Sequence, residues 1–86
     1  MYVSVIHDVS DPEKFWEMNP DVIPEGVVLH SALPNSDGSR AVCLWEADSM
    51  DAVKNVIEEN VGQYSRNEYY EVNAQNARGL PASTTA

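Results

Sequence analysis

Four residues of this chain have side chains that could do chemistry together: His7, His30, Cys43 and Glu46. The first two are its two histidines and the third its single cysteine. A neutral imidazole nitrogen binds metals and takes up protons near neutrality, so each histidine suits coordination or acid–base work. Imidazole with thiolate favours nickel, copper or zinc, and a carboxylate adds a harder ligand. The structural reading stands beside this one. A histidine in an apolar strand hydrogen-bonds a neighbour, a lone cysteine packs as a small hydrophobe, and a glutamate at a strand end is solvated. No CxxC, HxH or HExxH spacing occurs, so a metal centre depends on the fold bringing separate strands together. A nucleophilic triad is poorly supported, because Cys43 and Glu46 have opposite parity on one strand. No glycine-rich phosphate loop is present.

The elements that must position these residues follow from local patterns. "YVSVIHD", Tyr2 to Asp8, is β-branched and reads as a strand. Ser10, Pro12 and Glu13 form a capping box that opens a helix from Asp11 to about Asn19, ended by Pro20. "VVLHSAL" and "RAVCLWEA" read as a hairpin joined by the turn residues "PNSDGS". "DSMDAVKNVIEENVG" is an amphipathic helix capped by Asp48 or Ser49, with Met50, Val53, Val56 and Ile57 toward the core and Gly62 at its end. "NEYYEV" is the last strand.

The order β-α-β-β-α-β is the split βαβ, ferredoxin-like pattern. It predicts an α+β domain with a four-stranded antiparallel sheet and two helices on one face. Residues 1–76 form this domain and residues 77–86 a flexible tail or partner-gripping arm. A sheet face left bare by the helices is expected to be covered by a second copy, giving a homodimer. Alternation puts Val3, Val5 and His7 on one face and Tyr2, Ser4 and Ile6 on the other. Ala41, Cys43 and Trp45 share a face, and His30 goes with Val28 and Ala32. Strand register decides which of the four candidates meet.

The chain has 86 residues, with 14 acidic against 5 basic side chains and a net charge of −9. The five bases, Lys14, Arg40, Lys54, Arg66 and Arg78, form no patch. That balance argues against nucleic acid and anionic membranes, which need clustered Lys and Arg. No signal peptide or apolar span is visible, and one cysteine makes no internal disulfide, so a cytoplasmic protein is expected.

Several segments together resemble a family. "VIHD", "GVVLHSALPNSDGSRAVCLWEADSMDAV" and "NEYYEV" are similar to the small nickel-responsive, ferredoxin-like proteins of the dimeric α/β-barrel superfamily, a family largely of unknown function. The matching positions are His7, Leu29-His30, Val42 to Ala47, Ala52-Val53 and Tyr70-Glu71-Val72. The resemblance implies a dimeric α/β barrel and a nickel-like divalent ion. The wider superfamily includes monooxygenases, polyketide cyclases and stress proteins.

Three functions follow as expectations. The first is a small acidic protein that binds a divalent transition metal through His7 and His30, assisted by Cys43 or Glu46. The second is an enzyme with a pocket between sheet and helices, walled by Phe15, Trp16, Trp45 and Tyr2. There a histidine acts as general base on a small hydrophobic, aromatic or polyketide-like molecule. The third is a protein-interaction or stress-response module without chemistry.

Overall fold

The computed structural model describes residues 1–83. Four strands, β1 (Tyr2–Val9), β2 (Val28–Pro34), β3 (Arg40–Glu46) and β4 (Ser65–Glu71), form one antiparallel sheet in the order β2-β3-β1-β4. Two helices, α1 (Pro12–Phe15) and α2 (Met50–Val61), pack on one face. This is an α+β architecture consistent with a ferredoxin-like fold. No helix of the described residues is long and apolar enough to cross a membrane.

The core lies between the sheet and α2. Val53, Val56, Ile57 and Val61 repeat at helical spacing, and all are buried against Val3 and Val5 of β1 and Cys43 and Trp45 of β3. Burying each such aliphatic side chain contributes about 1.5–3 kcal/mol. Ser49 caps α2 by accepting from Ala52 N at 3.2 Å. The helix gives way at Gly62 to a 3-10 turn, Gly62–Tyr64, that leads into β4.

The first helix departs from expectation. It is a single turn of four residues, capped by Asp11, whose carboxylate accepts from Lys14 N at 3.2 Å. Ser10 is not the cap, because its hydroxyl and its backbone N–H both donate to Tyr64 O, tying the end of β1 to the 3-10 turn. Phe15 enters the core, whereas Trp16 turns outward and donates from Nε1 to Gly38 O at 3.1 Å. Asn19 is extended before Pro20 and caps a separate 3-10 turn, Pro20–Val22. The sheet surface of β2 and β3 is therefore covered by loop where a longer helix was expected.

The second departure is in β2. Leu29 pairs with Trp45 and Ser31 with Leu44, so His30 is the extra residue of a β-bulge. The bulge resets the alternation. Ala32 opposite Cys43 faces the helices, while His30 turns with Val28 to the open face instead of joining Ala32.

Residues 77–83 of the expected tail lie within the described residues. Tyr2 Oη donates to Pro81 O at 2.7 Å, which brings this segment across the end of β1. Thr84 to Ala86 fall outside the described residues.

Candidate functional site

The sheet separates the four candidate ligands. His7 and Cys43 are on the helix face, and His30 and Glu46 are on the open face. Register is the physical reason: His7 pairs with Ala41 and Cys43 with Val5, while Glu46 pairs with Tyr2 on the opposite parity. Among the described residues no group of three or more His, Cys, Asp and Glu side chains is placed to hold a metal.

On the open face His30 and Glu46 form a close pair, with Nε2 and Oε1 2.8 Å apart. The Glu46 side chain is 2% exposed and that of His30 is 11% exposed. An ionised carboxylate only accepts, so His30 Nε2 is the donor and a neutral ring carries its lone pair on Nδ1. Nδ1 has no hydrogen-bond partner among the described residues and is not sealed from solvent. The Tyr2 ring lies 5.8 Å from the imidazole, tilted by 39°. The second Glu46 oxygen accepts from the Ser83 hydroxyl. Glu46, Tyr2, Met1, Glu71, Val72 and Ser83 help line a cleft of about 560 Å³ between the sheet end and the C-terminal segment.

On the helix face His7 is 2% exposed and belongs to a chain of polar groups. The Glu58 carboxylate accepts from Asn67 Nδ2 at 2.8 Å and from the Tyr69 hydroxyl. Asn67 therefore turns its carbonyl toward His7, 2.6 Å from Nδ1. That arrangement makes Nδ1 the protonated nitrogen and Nε2 the basic one. Burial lowers the His7 pKa, and it outweighs the bond to Asn67 and the charge of Glu58, which raise it. The same site pushes the Tyr69 phenol up, through burial first and then its bond to Glu58.

Phe15 connects His7 to the expected pocket. Its ring meets the imidazole edge-on at 5.0 Å, and it lines a cavity of about 140 Å³ with Trp16, Met18, Leu29, Cys43 and Trp45. Three of the four expected pocket residues, Phe15, Trp16 and Trp45, thus wall one space. Tyr2 does not, because its parity on β1 puts it on the open face. Cys43 is 4% exposed, and burial pushes its thiol up to about 11. It is a protonated packing residue at neutral pH rather than a thiolate. Trp45 Nε1 is buried without a hydrogen-bond partner.

Sequence reasoning missed Asn67, Glu58, Tyr69 and Ser83 as partners of the candidate residues. Asn67 and Tyr69 share a face of β4 by alternation, but their alignment with His7 depends on the β1–β4 register. Nothing in the tail marks Ser83.

Comparison of the chain with protein-family models, with curated proteins and with solved structures gives no match.

Proposed function

We propose that this protein is a small-molecule enzyme of the homodimeric α/β-barrel kind in which His30, oriented by Glu46, acts as general base. The observation that carries the reading is the 2.8 Å contact between His30 Nε2 and the buried Glu46 carboxylate. A carboxylate behind an imidazole selects one tautomer, holds the ring still and stabilises the imidazolium formed when the far nitrogen takes a proton. A cleft of about 560 Å³ beside Glu46 is large enough for a small substrate.

The dimer has its own support. The open face carries Leu33, Val42 and Tyr70, which are 64%, 45% and 52% exposed, with Ile6 and Leu44 partly covered between them. A contiguous apolar sheet face of this kind suits a second copy packed sheet to sheet. Light scattering should give twice the chain mass, and Val42→Arg should return a folded monomer.

A general-base probe tests the chemistry without knowledge of the substrate. The base-promoted ring opening of 5-nitrobenzisoxazole should proceed faster with the protein than with equimolar imidazole. His30→Ala should abolish the excess rate and Glu46→Gln reduce it, while His7→Ala leaves it in place. Loss of the rate in His7→Ala but not in His30→Ala would transfer the role to the helix-face histidine.

A second reading, binding of nickel, copper or zinc, is favoured by the same geometry. Metal-ligating histidines commonly give their other nitrogen to a carboxylate, as His30 gives Nε2 to Glu46. One histidine is one ligand, so the remaining ligands would come from the second copy. A metal-dependent rise in melting temperature that is lost in His30→Ala and retained in His7→Ala supports this reading. A rise retained in both points to surface carboxylates.

A further inference from the structure

The chain beyond β4 turns back over the sheet end that carries Glu46. Val72 extends the β4 ladder by one bond, its N–H donating to Tyr2 O at 2.9 Å. A turn follows, in which Asn73 O accepts from Asn76 N and Ala77 N and the Asn73 carboxamide oxygen accepts from Gln75 N. Arg78 Nη1 donates to Asn76 O and Ala77 O. The chain then bends at Gly79, whose φ of +85 lies in the left-handed region that residues with a Cβ avoid. Half-buried Leu80 and Pro81 carry it back across the start of β1.

Two side-chain bonds close the crossing. Tyr2 lies between Glu46 of β3 and Val72 in one row of the sheet. Its hydroxyl donates to Pro81 O at 2.7 Å, and Ser83, two residues on, donates from its hydroxyl to Glu46. Two residues span at most about 7 Å, and neighbouring strands are about 4.8 Å apart. A segment pinned over β1 at Pro81 therefore reaches β3 at Ser83.

The second bond meets a requirement of Glu46. Its side chain is 2% exposed, and the oxygens of a carboxylate shielded from water have to be met by donors of the protein. His30 Nε2 meets Oε1, and the Ser83 hydroxyl meets Oε2. The Cγ–Cδ torsion of a glutamate is soft, so a carboxylate bonded at one oxygen swings about it. Bonded at both, it presents Oε1 to His30 in one orientation. We propose that Ser83 is a positioning residue for the His30–Glu46 pair, brought to it by a C-terminal segment that Tyr2 latches to the sheet. Its catalytic consequence rests on the reading of His30 as general base.

Two readouts keep the inference separate from that reading. Nitrogen-15 shifts of the neutral His30 ring report its tautomer and need no substrate. The chain has two histidines, and His30→Ala identifies the signals. The native ring should be protonated at Nε2. In Ser83→Ala both ring nitrogens should shift toward the average of the two tautomers, and Ser83→Thr, which keeps a hydroxyl, should restore them. The benzisoxazole rate is the second readout. Ser83→Ala should lower the excess rate on the order of tenfold, as a displaced catalytic group does, and Ser83→Thr should recover it. Tyr2→Phe keeps the ring beside His30 and removes only the latching hydroxyl, so it should lower the rate as well. Ser83→Ala added to Tyr2→Phe should then cost much less than it does alone, because both changes act through one segment. Ser83 is exposed, so its substitution leaves the core intact, which circular dichroism checks. Unchanged ring shifts and rate in Ser83→Ala, with the rate abolished in His30→Ala, would overturn the role of Ser83 and leave the general-base reading standing. Ring shifts that move in Ser83→Ala, with no excess rate in the native protein, would support the positioning and overturn the general-base reading. Additive effects of Tyr2→Phe and Ser83→Ala would overturn the latch.

Discussion

Truncating Glu46 is the most informative perturbation of the open face. Its side chain is 2% exposed, and its two oxygens accept from His30 Nε2 at 2.8 Å and from the Ser83 hydroxyl. Glu46→Ala removes both acceptors and leaves an imidazole donor whose ring is 11% exposed. The bond from the neutral imidazole to the carboxylate is charge-assisted, and losing such an acceptor costs about 1.5–3 kcal/mol, to which the lost packing of the buried side chain adds. Partial hydration of the stranded ring lowers the expected loss to about 2–3 kcal/mol. For a domain of this size each kcal/mol moves the melting temperature by about 4–8 °C, so a fall of about 10–20 °C is expected. Glu46→Gln keeps the volume and one carbonyl acceptor and should cost about 1 kcal/mol. His30→Ala takes one donor from the carboxylate, which keeps the Ser83 hydroxyl, and should cost about 2 kcal/mol. The decisive measurement is the double variant, by urea denaturation. If the pair is coupled, His30→Ala with Glu46→Ala should cost less than the sum of the single changes by about 1–2 kcal/mol. Additivity within about 0.5 kcal/mol would refute the coupling and the oriented-histidine argument with it.

Three further outcomes are expected. Burial lowers the His7 pKa, so the unfolded chain binds a proton that the native protein resists. Stability should therefore be fully present above the ordinary histidine value of 6.5 and decline as pH falls below it, with a slope of at most about 1.4 kcal/mol per pH unit. His7→Gln should flatten urea-denaturation stability between pH 7 and pH 5, and stability that rises on acidification would mean native His7 is charged. Gly38 has φ +76, and a Cβ there would lie 2.9 Å from Trp16 Nε1. Gly38→Ala should cost about 1–2 kcal/mol and alter the Trp16 near-ultraviolet signal. Cys43 is 4% exposed with its thiol pushed up to about 11, so Ellman's reagent at pH 8 should react with it only after denaturation.

Much of the architecture was legible in the chain because it depends on local chemistry. The β-branched run in β1, the turn residues between β2 and β3 and the apolar stripe of α2 each report their element through neighbours in sequence. Alternation correctly put His7 with Val3 and Val5, and Cys43 with Trp45. The extent of α1 was not legible, because Ser10 is drawn away from capping by Tyr64, a residue 54 positions distant. Nor was the bulge at His30, which arises where β2 meets β3 and reverses the face that simple alternation assigns.

The candidate sites divide along the same line. Residue types alone marked His7, His30, Cys43 and Glu46, because imidazole, thiol and carboxylate are the groups that bind metals or move protons. Their association is a property of register and of the bulge. A one-residue change in pairing sends a side chain to the opposite face, and no short-range signal encodes that choice. Tertiary structure therefore joined His30 to Glu46 and His7 to Asn67 and Glu58, and placed the sheet between them. It also stopped α1 early enough to leave the cavity beside Trp45. The chemistry available was a matter of composition, and its distribution over two faces was decided by contacts between residues far apart in the chain.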